Sequence, residues 1–138
     1  MSTSLSRKEI EALSDFRYRL RCFIRFSEDL THALGITNLQ YLLLLHTKGY
    51  KGREWATITE LAERLQAHHH GVVALVSRCE KLGLVYRKRS SEDKREVEIH
   101  LTLEGDKLVR KIAALHRNEL LNLQGIFKVP GAQELGTD

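Results

Sequence analysis

The chain has 138 residues, 42% hydrophobic and 29% charged, which suits one cored domain facing water. No leader pattern is expected at its start, its longest apolar run (41–45) is too short to cross a bilayer, and two cysteines without a CxxC pair point to reduced thiols in a cytoplasmic protein. The whole +4 excess falls within 68–95, where seven cations (Arg78, Lys81, Arg87, Lys88, Arg89, Lys94, Arg95) face three acids (Glu80, Glu92, Asp93), a concentration that points to nucleic acid.

Residues 1–6 read as frayed, with Ser4 or Ser6 able to cap a helix over 7–34. Ile10, Leu13, Phe16, Leu20, Phe23 and Leu30 recur near helical spacing, and Tyr18, Cys22 and Phe26 form a row on another face. Two apolar faces are expected either to be core or to meet another subunit. Gly35 ends this helix, and Thr37 or Asn38 caps a second over 39–48, with Leu42, Leu43, Leu45 and His46. A polar, glycine-bounded loop over 49–54 leads to a brief extended piece at Trp55 and Ala56.

Thr57 or Thr59 opens the next helix, which buries Ile58, Leu61, Ala62 and Leu65, and Gln66-Ala67-His68 is the turn after it. Val72, Leu75, Val76, Cys79 and Leu82 share the inner face of the following helix until Gly83 stops it. Leu84-Val85-Tyr86 starts a strand, Arg87 to Arg95 is a hairpin tip too polar to be buried, and Val97, Ile99 and Leu101 alternate with Glu96, Glu98 and His100 on the return. Thr102 caps a last helix over 103–124, with Leu108, Ile112, Leu115 and Leu120 on its repeating faces, and 125–138 is a tail expected to be disordered. The predicted fold is mainly α with a small β-hairpin wing: a winged helix-turn-helix over 37–102, flanked by long helices, in a single domain. Such a unit lays a helix in a DNA groove with a basic loop beside it.

This order of elements resembles the MarR family of winged-helix transcriptional regulators. The resemblance rests on Leu61-Ala62-Glu63-Arg64-Leu65, Val72, Leu75-Val76, Arg78, Glu80, Gly83-Leu84-Val85, the wing tip Asp93-Lys94-Arg95, Leu101-Thr102 and Gly105. The upstream Gly35-Ile36-Thr37 and Gln40-Tyr41 also look like that family, so about residues 10–124 are covered. It implies a homodimer with intertwined first and last helices (7–34 and 103–124), two winged modules on a pseudo-palindromic double-stranded operator, and repression relieved by a small effector or oxidant. Two departures stand out. The second helix of the motif opens on His68-His69-His70-Gly71 where members usually carry polar or basic residues, and the end of the chain is expected to lack most of the usual final helix, leaving a dimer interface that is smaller or more dependent on the first helix.

With Val72, Leu75, Val76 and Cys79 inward, His69, His70, Val73, Ala74 and Ser77 face the groove, joined by His68 from the turn. The histidines are DNA contacts or solvated surface. A shared metal is disfavoured because consecutive helical residues point about 100° apart. Lys94 and Arg95 are expected at the minor groove or its phosphates, with Asp93 orienting Arg95 and with Arg87 and Arg89 along the flank. Arg78 and Lys81 are phosphate contacts or ion-pair partners. Phe23, Phe26, His46 and Trp55 are candidate ligand-pocket residues, with core packing the plainer alternative. Cys79 reads as packing, and Cys22 as a small core residue or, because some relatives sense oxidants through a first-helix thiol, as a redox sensor. No catalytic motif is present, so no enzyme activity, cofactor or metal is expected. A winged helix that acts through protein contacts without an operator is the alternative function.

Overall fold

The computed structural model describes residues 4–122. The expected tail (125–138) and the last two residues of the expected final helix lie outside that range. Along the chain run α1 (Arg7–Ala33), α2 (Asn38–Lys48), β1 (Trp55–Thr57), α3 (Ile58–Leu65), α4 (His69–Lys81), β2 (Val85–Arg89), β3 (Val97–Leu101) and α5 (Leu103–Asn122).

Short-range chemistry sets the helix starts. Ser6 with Glu9, Thr37 with Gln40 and Thr57 with Glu60 each form a capping box, the hydroxyl and the carboxylate or amide satisfying two leading amides reciprocally. Thr102 opens α5 differently: its Oγ1 accepts from the Gly105 N–H at 3.0 Å and donates to the Gly83 carbonyl at 2.6 Å. α4 is the contrast, because His68 precedes it without any side-chain cap. At its far end the Leu84 N–H reaches the Cys79 carbonyl and the Gly83 N–H the Glu80 carbonyl, with Gly83 at φ +75°.

That closing turn corrects one expectation. Leu82 was placed inward by helical periodicity but is half exposed, and Leu84 is buried instead. The turn breaks the 100° step and folds Leu84 back toward Cys79, so the inner face ends on the residue after the glycine.

α2 is the hub, packed against α1, α3, α4, α5 and the sheet, and its Leu43 and Leu44 are fully buried. Around them lie Leu61, Val72, Val76, Cys79, Ile99, Val109 and Ile112. Lys48 fastens the end of α2 to the start of α5 through Asp106 at 2.5 Å and to the loop through Glu54 at 2.7 Å. These two partners raise the Lys48 pKa, and Lys48 together with Arg110 lowers that of Asp106.

The sheet departs from the simple hairpin. β3 is central, paired antiparallel with both β1 and β2 in the order β1-β3-β2. β2 runs on through Arg89, so Arg87, Lys88 and Arg89 are strand residues and the connecting tip shrinks to 90–96. Ser90 is buried there, contrary to expectation, because its Oγ accepts from the amides of Glu92 and Asp93. Glu98, expected on a solvated face, is also buried: it meets His100 Nε2 at 2.9 Å, and Trp55 and Tyr86 stack on the His100 ring from either neighbouring strand.

α1 and α5 keep much of their apolar surface uncovered within one chain. Leu5, Ile10, Leu13, Tyr18 and Ile24 are exposed before and along α1, and Leu115, Leu120 and Leu121 on α5, so of the repeating apolar faces expected there those of Leu115 and Leu120 stay uncovered within one chain. The packed side of α5 is instead Val109, Ile112 and His116.

Candidate nucleic-acid interface

The helix-turn-helix is α3, a turn and α4. Gln66 adopts φ +51°, a left-handed conformation that closes α3 and lets its amide and that of Ala67 bond back to Glu63 and Ala62. α4 then buries Val72, Leu75, Val76 and Cys79, all as expected from spacing. Burial pushes the Cys79 thiol up to about 11, the behaviour of a packing residue rather than a reactive one.

The opposite side of α4 presents His70, Ala74, Arg78 and Lys81, all exposed, with His68 and His69 at its start. The His68 and His70 rings stack 5.7 Å apart and nearly parallel. Val73 and Ser77 were expected in the same outward set but are half-buried, because a wing side chain lies over them. That side chain is Arg87: its Nη1 donates to Glu80 at 2.5 Å and its Nη2 to the Ser77 hydroxyl at 3.0 Å. Arg87 is therefore drawn back against the helix rather than lining an open flank. Glu80 was not among the expected site residues, although its acidity within a basic run and its place one turn beyond Ser77 were visible in the sequence.

Beyond Arg87 the wing is openly cationic. Lys88, Arg89, Lys94 and Arg95 are all exposed. Asp93 Oδ1 accepts from the Arg95 amide at 3.0 Å and from its Nε at 3.3 Å, so the acid orients Arg95 while its side chain stays 92% exposed. His69, Arg95, Thr57 and Thr59 border one small cleft between the start of α4 and the base of the wing tip. Thus the uncapped start of α4, with His69, and the wing-tip cation Arg95 face one cleft. Backbone amides at a helix start and nearby cations are suited to phosphate.

The four residues expected to line a ligand pocket do not converge. Phe23 and Phe26 both set their edges toward His116, at 5.9 and 5.7 Å, and Tyr41 stacks on that ring at 4.9 Å. Trp55 belongs to the sheet, where Arg53 lies over it at 3.8 Å. His46 sits elsewhere, its pKa lowered by burial and by Arg64. His116 itself was missed, although it stands four residues after Ile112 on the packed row of α5. Cys22, expected in an apolar row, is exposed, and a side-chain hydrogen bond with it raises the Tyr18 pKa. Among the described residues no three metal-ligating side chains converge, and no helix is long and apolar enough to cross a membrane.

Comparison with known proteins agrees with this geometry. The sequence pattern of the MarR family matches residues 34–96, from the end of α1 through the wing tip. The chain is 28% identical over 122 residues to the HTH-type transcriptional regulator YkoM of Bacillus subtilis, covering 84% of this chain and 76% of that one. It is 38% identical over 78 residues to the organic hydroperoxide resistance transcriptional regulator of the same bacterium, covering 56% of this chain and 51% of that relative, about half its length. The fold is similar to AbsC, a MarR family transcriptional regulator from Streptomyces coelicolor, with a TM-score of 0.77 at 21% identity over 94% of this chain and 86% of that one. The winged helix-turn-helix is thus shared with MarR-family structures, and over residues 34–96 the chain is similar to the MarR family, whose similar proteins here are transcriptional regulators.

Proposed function

We propose that this chain acts as a cytoplasmic homodimer that binds a pseudo-palindromic double-stranded operator in a sequence-specific way and represses transcription there. The observation that carries the reading is an exposed α4 stripe, His70, Ala74, Arg78 and Lys81, on a helix whose first residue, His69, borders one cleft with the exposed wing-tip cation Arg95. The helix enters a major groove, where short and imidazole side chains allow close approach to base edges, and the wing follows the adjoining backbone. Dimerisation is supported by the uncovered Ile10, Leu13, Tyr18 and Ile24 of α1 and Leu115, Leu120 and Leu121 of α5, which two copies would bury against each other. Two-fold pairing would present the two α4 helices to half-sites about one helical turn apart. A small effector is part of the proposal, acting at the junction of α1, α2 and α5 where Phe23, Phe26, Tyr41 and His116 meet.

The test is selection of bound duplexes from a random pool, followed by sedimentation of the protein alone and a reporter carrying the selected sequence. The expected result is an inverted repeat, a dimer mass lost on Leu13→Asp with Leu121→Asp, and repression of the reporter. A pool with no enriched sequence would contradict operator recognition and favour a winged helix that works by sequestering another protein.

A further inference from the structure

Strand parity puts Val85, Arg87 and Arg89 on one face of β2, and Tyr86 and Lys88 on the other. Val85 is in the core and β2 packs on α4, so the Arg87 side chain is directed at the recognition helix by its register opposite Ile99. There its guanidinium meets Glu80 Oε1 at 2.5 Å, Ser77 Oγ at 3.0 Å and the Val73 carbonyl at 3.3 Å. Val73, Ser77 and Glu80 stand at i, i+4 and i+7, so one wing side chain grips two turns of α4 along a single stripe. The planar fork of arginine suits such a three-point hold, which a lysine ammonium could not reproduce. Ser77 is engaged as well, since its hydroxyl donates to the Val73 carbonyl at 3.1 Å while accepting from Arg87.

We propose that Glu80 and Arg87 form a positioning pair that sets the angle between wing and recognition helix, and that Glu80 withholds the Arg87 charge from DNA phosphates. This rests on the DNA-binding reading above. Non-specific affinity scales with the number of phosphates a protein neutralises, whereas discrimination needs groups held in register on the bases. A cation spent on Glu80 adds little to the first quantity and, by fixing the wing, adds to the second. The pair therefore raises the ratio of operator to random-duplex affinity without making binding tighter everywhere.

Fluorescence anisotropy on two labelled duplexes tests this: one selected from a random pool by the unaltered protein, the other a scramble of equal length, across a range of salt. Glu80→Gln frees Arg87, so the scrambled duplex should be bound more tightly and its log Kd against log salt should steepen by about one per half-site. The selected-to-scrambled ratio should fall by about ten-fold, the scale of one displaced base contact. Arg87→Gln should lower that ratio similarly with no steeper slope, and Arg87→Lys should rescue little of it. Glu80→Gln combined with Arg87→Gln should be no worse than the poorer single change, as members of one unit behave. Ratios within two-fold of the unaltered protein in both single variants, or losses that multiply in the double, would overturn the pair's role. Because both side chains are about one-third exposed, circular dichroism should show the variants folded. Failure of the unaltered protein to bind either duplex would instead overturn the DNA-binding reading itself, a result separate from the one that removes the pair.

Discussion

His116 is the side chain on which the meeting of α1, α2 and α5 turns. Its Nδ1 donates to the Ile112 carbonyl at 2.9 Å, its Nε2 meets Ser27 Oγ at 2.7 Å, and that hydroxyl reaches Asn38 Oδ1 at 2.6 Å. Ser27 thus links a buried imidazole on α5 to the first residue of α2. Ser27→Ala leaves polar atoms of His116 and Asn38 without that partner, and urea unfolding at pH 7 should show a loss of about 1–3 kcal/mol. A loss under half a kilocalorie would mean the network is not strained by the deletion. His46 gives a pH signature. Its pKa is lowered in the fold by burial and then by Arg64, so the unfolded chain takes up the proton more readily. Its contribution to stability is therefore complete above its ordinary value of 6.5 and declines as pH falls below it. Replacing it, His46→Gln, should flatten the fall in unfolding free energy between about pH 7 and 5; an unchanged profile would assign the fall to other groups.

Elements were legible where their signals are local. Ser6 with Glu9, Thr37 with Gln40 and Thr57 with Glu60 lie three residues apart in sequence, so the starts of α1, α2 and α3 could be read within a residue or so. The inner face of α4 was equally plain from Val72, Leu75, Val76 and Cys79. What escaped depends on partners distant in the chain: β1 against β3, the burial of Glu98 beneath that pairing, and the hold of Arg87 on Glu80. Periodicity can place a side chain on a face but cannot say what will cover it. The root of the wing shows how tight such non-local contacts are. A Cβ on Gly105 would run into the backbone of Leu84, whose carbonyl also accepts from the Thr102 amide at 3.0 Å. Gly105→Ala should therefore destabilise by about 1–3 kcal/mol, since backbone on both sides must give. Gly71→Ala, on open surface in α4, should be neutral or stabilising by up to about 1 kcal/mol. Thermal or urea melts of the two variants should separate them, and equal effects would contradict the close approach.

Across the whole molecule, charge and apolar surface are divided between two ends of the design. The cationic excess lies on α4 and the wing, while most of the uncovered large apolar residues lie on or next to α1 and α5. That division is what a dimer needs to bury one surface and turn the other toward a polyanion. The exposure of Lys94 and Arg95 was legible in the sequence, because cations at a polar hairpin tip need no distant partner to stay in solvent. Arg87 and Ser77 were not correctly placed, because their surroundings are made by tertiary contact. The most direct test of the account is the salt dependence of duplex binding by the unaltered protein and by Lys94→Ala with Arg95→Ala. A steep decline of affinity with salt is expected, with the slope reduced by about two per half-site when both wing-tip cations are removed and the fold intact. An unchanged slope in the folded variant, or no binding to any duplex at low salt, would contradict it.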